Sequence, residues 1–181
     1  MRESEHRERV FMTNINSEDQ VTLFFDAISE RSAVKILEMG TQDASFLVEV
    51  IGKADWAPKI ELHCIDSADS AFDSAVLNAG EKTSTEFELV KHVGSGTEVN
   101  DAIMEASESS PFDAIFVSSA LSREELLTAC MVGHESLKAN GVLALSREVF
   151  NNAAFSDAVA SFRDMFAEAY EEPADGIFVK V

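Results

Sequence analysis

Two acidic residues stand at the ends of short apolar segments, and each is followed by small or polar residues. Glu38 is followed, after one residue, by Gly40 and Thr41, and Asp66 is followed by Ser67. An acid, a glycine turn and a helix start offer a carboxylate and backbone N–H groups to one ligand, and glycine lets the chain approach it closely. An acid at a strand tip can accept the hydroxyls of a ribose. These five residues therefore indicate a site for a nucleotide-like ligand.

Two further loops carry small polar residues after apolar, β-branched segments. Ser95 lies between Gly94 and Gly96, and Ser118 is followed by Ser119. Loops that follow strands are where a ligand site is to be sought, so Ser95 and Ser118 are candidates for it. Each loop also has a simpler interpretation, because a glycine-serine turn needs no ligand and paired serines suit a strand-to-helix loop with an N-cap. Both interpretations remain open at this point.

Three histidines could serve as a general base near neutral pH. His63 lies inside a predicted strand and His134 inside a predicted helix, positions that favour packing or surface roles, whereas His92 is nearer the end of a strand. The pattern singles out no one base, so no catalytic residue is assigned.

The elements that must position these residues alternate between short apolar runs and longer helical patterns. Strands are predicted over residues 34–38, 61–66, 87–93, 114–117, 141–145 and 176–181, and helices over 18–29, 45–51, 70–79, 99–106, 123–137 and 155–169. Successive β-α-β units favour a parallel sheet, and right-handed crossovers put helices on both faces. The predicted fold class is therefore α/β, doubly wound and mostly parallel. Ligands bind such sheets beyond the carboxyl ends of the strands, where the acids and serines lie.

The bulk composition is typical of an acidic globular protein. The 181 residues are 46% hydrophobic and include 14 Lys and Arg against 33 Asp and Glu, for a formal net charge of -19. This charge repels phosphate backbones and anionic membrane surfaces, so we expect neither a nucleic acid nor a membrane partner. Cys64 and Cys130 lie in apolar contexts without metal-ligand spacing, which predicts reduced core residues.

The domain organisation predicted from the sequence is simple. Residues 1–16 are polar and lack sustained periodicity, so we expect a flexible N-terminal tail, and residues 17–181 are predicted to form a single domain. No apolar run approaches the roughly 20 residues that span a bilayer, and no signal-peptide stretch follows the charged N-terminus. We therefore expect a cytoplasmic protein.

Several segments, in their order along the chain, resemble the class I S-adenosylmethionine (SAM)-dependent methyltransferases. ILEMGT at 36–41 resembles their first SAM-binding motif, and LHCID at 62–66 resembles their second strand with its ribose-binding acid. Segments 89–97, 112–117 and 137–143 resemble the next three strand regions, and 175–180 resembles the final strand of the small-molecule O-methyltransferase branch. The resemblance implies a Rossmann-like methyltransferase fold with a C-terminal antiparallel strand.

The same resemblance implies SAM as cofactor and methyl transfer to a small-molecule acceptor. It places the cofactor-binding site at Glu38, Gly40, Thr41, Asp66, Ser67, Ser95 and Ser118. A homodimer is a further expectation.

Two departures from the family pattern bear on activity. Gln42 and Ala44 stand where the motif has glycines, so a Cβ at each position is expected to crowd the methionine end of SAM. Ser118, Ser146 and Arg147 align with the metal-ligating positions of the metal-dependent branch, and hydroxyls and a guanidinium are poor ligands for a hard divalent cation. We therefore expect no catalytic metal.

These departures leave a second hypothesis open, in which the chain is a non-catalytic descendant that keeps the fold as a binding or assembly module. A third hypothesis, an NAD-linked oxidoreductase, is less favoured because no G-x-G-x-x-G follows the first strand.

Overall fold

The computed structural model describes residues 17–40, 45–66, 84–93, 97–118 and 122–181. Within these ranges seven strands form one sheet: β1 (Lys35–Met39), β2 (Lys59–Asp66), β3 (Glu86–Val93), β4 (Phe112–Val117), β5 (Leu137–Leu145), β6 (Tyr170–Ala174) and β7 (Ile177–Lys180). The helices are α1 (Ser17–Glu30), α2 (Ser45–Lys53), α3 (Thr97–Ser109), α4 (Arg123–Ser136), α5 (Arg147–Phe150) and α6 (Ser156–Met165), with a 3-10 turn at Ala153–Phe155. The helix predicted over 70–79 lies outside the described residues.

The order of strands in the sheet is β3-β2-β1-β4-β5-β7-β6. The first five of these run parallel, and β7 runs antiparallel to both β5 and β6. Strand order reverses between β1 and β4, so the helices that follow these two strands lie on opposite faces of the sheet. The doubly wound, mostly parallel prediction is confirmed, and the switch point lies beside Glu38 and Ser118.

The predicted C-terminal antiparallel strand is confirmed as β7, and a further strand that was not predicted, β6, forms a hairpin with it. Asp175 and Gly176 make the turn, and Gly176 has φ 74°, a left-handed conformation that glycine adopts without strain. Strand β6 has the sequence YEEPA, which shows no apolar alternation. Its proline is tolerated because β6 lies at the edge of the sheet.

Strand β5 begins at Leu137, four residues earlier than predicted, and α4 ends at Ser136. Leu137 pairs with Phe112 of β4. Asn140 then takes φ 60°, and a Cβ on Gly141 would come within 2.7 Å of the Leu137 side chain. The first residues of β5 therefore depart from regular strand geometry. Their sequence, LKANG, shows no strand pattern, so the strand was predicted to begin later. Helix α6 likewise ends at Met165, short of the predicted 169.

Apolar side chains cover both faces of the sheet. On one face α1 and α2 contribute Phe24 and Phe46, and the Phe46 ring stacks on Phe116 of β4 with centroids 4.0 Å apart. The other face is covered by α3, α4 and α6, which bury Ile103, Leu126 and the predicted stripe residue Phe162. Both cysteines are buried and neither forms a disulfide, as predicted. Apolar side chains of the described helices therefore pack on both faces of the sheet.

Asp113 ties together the amino end of the sheet, opposite the predicted ligand site. Its Oδ2 accepts hydrogen bonds from the backbone N–H groups of Val34 at 2.7 Å and Lys35 at 2.8 Å, and its Oδ1 pairs with Lys138. The Lys35 ammonium donates to the carbonyls of Ala106 at 2.8 Å and Ser110 at 2.9 Å, at the end of α3. These contacts join β1, β4, β5 and α3.

Candidate functional site

The carboxyl ends of β1, β4 and β5 are joined by hydrogen bonds. Ser118 donates to the Met39 carbonyl through its backbone N–H at 2.9 Å and its hydroxyl at 3.2 Å. Ser146 donates from its N–H to the Val117 carbonyl at 2.8 Å and from its hydroxyl to the Ser118 carbonyl at 2.8 Å. Both serines are half-buried. This chain of bonds fixes the floor of the candidate site.

Glu38 is buried at the end of β1, with only 2% of its surface exposed. It lies opposite Cys64 of β2 and Phe116 of β4 in the parallel register. A buried carboxylate is costly unless hydrogen-bond donors compensate it, so acids are rare at buried strand positions. An acid at this position, at the switch point of the sheet, is typical of a ligand site rather than of a structural core.

Gly40 follows β1 and takes φ 79°. Residues with a Cβ rarely adopt this left-handed conformation, so the turn itself requires glycine. The lack of a side chain leaves the backbone after β1 open to close approach by a ligand. The backbone conformation thus agrees with the predicted role of Gly40.

The remaining predicted site residues are described only in part. Asp66 is the last residue of β2 and pairs with Val93 of β3. Thr41, Ser67 and Ser95 lie outside the described residues. The structure therefore brings Glu38, Gly40, Ser118 and the backbone of Asp66 to one edge of the sheet, because β2, β1 and β4 are neighbours.

Ser146 has a positioning role that the sequence did not reveal. Its hydroxyl accepts a hydrogen bond from the Val149 N–H at 3.2 Å and so caps the short helix α5, while also bridging to β4. A serine followed three residues later by an apolar residue is only a weak helix-start signal. Across the described segments, no group of three or more His, Cys, Asp or Glu side chains could hold a metal ion.

The histidines considered as bases are engaged with other side chains. His63, 3% exposed, contacts Glu61 through Nε2 and lies 2.8 Å from Nε2 of His92 through Nδ1. His134 lies 3.2 Å from the Tyr170 hydroxyl and stacks on Phe166. His63 and His92 share the sheet face that α3 covers, below the strand ends. These contacts favour packing roles over the base role considered for His92.

The His63 and His92 pair gives a testable pH dependence of stability. Burial lowers the pKa of both imidazoles below 6.5, although Glu61 partly offsets this for His63; the positive charge of Lys35 adds to the lowering at both. Between the lowered pKa and 6.5 the unfolded chain binds more protons than the folded one, so stability is full above pH about 6.5 and falls on acidification below it.

Denaturant unfolding at a series of pH values measures this effect. Each histidine contributes a slope of at most about 1.4 kcal/mol per pH unit. We expect His92→Gln to reduce the pH dependence of the free energy of unfolding below pH 6.5, over the range in which the protein still folds, since one titrating group is removed. An unchanged slope in that variant would show that the pair does not control acid stability.

Comparisons with known proteins establish the fold. No protein-family model matches the chain, and neither does any curated protein sequence. An O-methyltransferase from Bacillus cereus, solved in complex with S-adenosylhomocysteine (SAH), is 14% identical with a TM-score of 0.61, over 93% of this chain and 83% of that one. The O-methyltransferase TomG from Streptomyces achromogenes, solved with SAM, is 19% identical with a TM-score of 0.60, over 92% and 78%.

A third match shows how widely this fold is used. The small RNA methyltransferase HEN1 is 16% identical with a TM-score of 0.57, and the match covers 98% of this chain but 27% of that protein. The chain thus has the Rossmann-like fold of the class I methyltransferases, and at these identities the likeness carries no acceptor with it. In addition, none of the helices in the described ranges has the length and apolarity that crossing a bilayer requires.

Proposed function

We propose that this protein is a SAM-dependent methyltransferase that acts on a small-molecule acceptor. One observation carries the proposal. Buried Glu38 and Gly40, which has a left-handed backbone conformation, lie next to the switch point of a sheet with the methyltransferase fold. The solved neighbours that hold SAM or SAH support this choice of cofactor. The acceptor is proposed to be a small molecule because the net charge of -19 opposes nucleic acid.

We propose that the residues at the strand ends bind SAM. In this proposal the carboxylates of Glu38 and Asp66 accept hydrogen bonds from the hydroxyl and ammonium groups of the cofactor, and Gly40 allows its close approach. Thr41, Ser67 and Ser95 are proposed to complete the cofactor site, with Ser118 at the boundary with the acceptor. When bound, SAM supplies a methyl group already activated on a sulfonium.

The residues of this chain are then needed for alignment rather than for activation. Hydrogen bonds among Met39, Ser118 and Ser146 fix the floor against which donor and acceptor are oriented. Orientation of this kind and exclusion of water can supply a large part of a rate enhancement. No base or metal is required by this account, and a homodimer remains a prediction from the sequence alone.

Asp66→Ala tests the proposed ribose contact at the end of β2. Loss of a charged hydrogen-bond partner is expected to weaken SAM binding by about 1 to 3 kcal/mol. Calorimetric titration of the folded variant measures the change, and an unchanged affinity would remove Asp66 from the site.

Metal independence is tested separately with a chelator. We expect any methyl transfer to survive chelation and to gain nothing from added magnesium, because hydroxyls and a guanidinium occupy the positions at the ends of β4 and β5. A strict magnesium requirement would show that the alignment of Ser118, Ser146 and Arg147 with the metal-dependent branch is wrong.

One observation favours the non-catalytic alternative. The hydroxyls of Ser118 and Ser146, at the ends of β4 and β5, both donate to backbone carbonyls. A thermal-shift comparison of SAM, SAH and NAD distinguishes the methyltransferase, binding-module and oxidoreductase hypotheses, because a ligand that binds only the folded form raises Tm. Saturating SAH is expected to raise Tm by several degrees, about 2 to 4 °C per kcal/mol for a chain of this size. A shift with NAD alone would favour the oxidoreductase hypothesis, and no shift with any of the three would favour the binding module.

A further inference from the structure

Arg147 is a half-buried cation at the carboxyl end of the sheet. It directly follows Ser146, whose bonds join the ends of β4 and β5, and it is the first residue of α5. Within the part of the chain that the structure describes, its guanidinium has no hydrogen-bond or ion-pair partner. Arg123, the exposed first residue of α4 after β4, also has none among those residues.

A cation with no partner among the described residues is unusual in so acidic a chain. Acidic side chains outnumber basic ones by 33 to 14, and other cations such as Lys53, Lys59 and Arg163 each pair with a glutamate. Partial burial of a guanidinium without a carboxylate costs free energy that a bound anion would recover. These two arginines, which have no partner among the described residues, follow neighbouring strands at the proposed active edge.

We infer that Arg147, assisted by Arg123, binds an anionic group of the methyl acceptor, a carboxylate or a phosphate. This inference rests on the proposed methyltransferase function. The planar guanidinium presents donors in a fork that matches either oxyanion. Because the net charge of the protein repels anions, a local pair of arginines is needed to hold one at this edge.

The strand order separates Arg147 from the proposed cofactor residues, which is why we assign the anion it binds to the acceptor. Glu38, Gly40 and Asp66 mark β1 and β2, whereas Arg147 follows β5, two strands from β1 in the order β2-β1-β4-β5. Neighbouring strands lie about 4.8 Å apart, so the separation is about 10 Å in the plane of the sheet. The carboxylate of the cofactor's methionine is the competing anion, and the test includes it.

The test follows the arginine Nε–H and backbone amide NMR signals of the full chain during anion titration. Inorganic phosphate and benzoate are the probes, benzamide is the neutral control, and chloride keeps the ionic strength constant. Each titration is run with and without saturating SAH. The variants are Arg147→Gln, Arg123→Gln and the matched control Arg31→Gln, which removes the same charge beyond α1, where Arg31 contacts Ala27.

We expect saturable shifts at Arg147 with phosphate or benzoate and none with benzamide. Arg147→Gln should weaken the anion about tenfold or more, as for loss of a charged hydrogen bond, Arg123→Gln should weaken it less, and Arg31→Gln should leave it unchanged. Tighter binding of phosphate would identify a phosphorylated acceptor, and tighter binding of benzoate a carboxylate.

Three results would overturn the inference. They are shifts no larger than chloride produces, equal anion affinity in Arg147→Gln, or a loss of SAH affinity in that variant, which would assign the arginine to the cofactor. Failure of SAH to bind the wild-type protein would instead reject the proposed function, while the titration without SAH would still report whether Arg147 holds an anion.

Discussion

Asp113→Ala is expected to lower the free energy of unfolding by about 2 to 4 kcal/mol. The buried Lys35 N–H would lose its partner at a cost of about 1 to 3 kcal/mol, and the part-buried Val34 N–H would lose a second hydrogen bond, worth about 1 kcal/mol. The carboxylate of Asp113, itself 6% exposed, accepts from the backbone N–H groups of Val34 and Lys35. Denaturant unfolding monitored by circular dichroism measures the loss.

Two matched variants isolate the cause. Lys138 also contacts Asp113, but its side chain is 41% exposed, so Lys138→Ala should cost no more than about 1 kcal/mol. Asp113→Asn keeps one oxygen acceptor and should fall between the other two. If Asp113→Ala unfolds with the wild-type midpoint, the amino end of the sheet does not depend on this carboxylate.

Glu38→Gln is expected to weaken SAH binding by about 1.5 to 3 kcal/mol, the range for hydrogen bonds that involve a charged group. The free energy of unfolding should change little or increase, because the variant removes a charge from a position only 2% exposed. Opposite effects on binding and stability are typical of a residue kept for function rather than for folding. Calorimetry with SAH and thermal unfolding measure the two effects.

Glu49→Gln is the control for this second prediction. Glu49 lies on α2, where it forms an exposed ion pair with Lys53, and exposed pairs contribute about 1 kcal/mol or less. Neither SAH affinity nor Tm should change appreciably in this variant. Equal SAH affinity in Glu38→Gln and wild type would mean that Glu38 is buried for a structural reason.

The sequence predicted the sheet because its central strands are short, largely apolar segments. Strands buried on both faces, such as β1 and β4, leave a hydrophobic signal that does not depend on tertiary context. The strand-end positions of Glu38 and Ser118 followed directly from these runs. The hairpin strand β6 left no such signal, because an exposed edge strand tolerates glutamates and proline.

What the sequence did not predict depends on contacts between distant residues. His63 and His92 are 29 positions apart and meet only because β2 pairs with β3. In the sequence, Asp113 is an ordinary acid just before a predicted strand. In the structure it accepts hydrogen bonds from residues 79 and 78 positions earlier. That Arg147 has no partner among the described residues likewise becomes visible only when the partners of the other cations are known.

Calorimetric titration of the wild-type protein with SAH, SAM and adenosine tests the central claim most directly. We predict saturable binding of SAH and SAM, and only modestly weaker binding of adenosine, because Gln42 and Ala44 are expected to crowd the methionine end. SAM binding a hundredfold or more tighter than adenosine, about 2.7 kcal/mol, would overturn the crowding argument but retain the cofactor site. Absence of SAH and SAM binding at millimolar concentration would contradict the account.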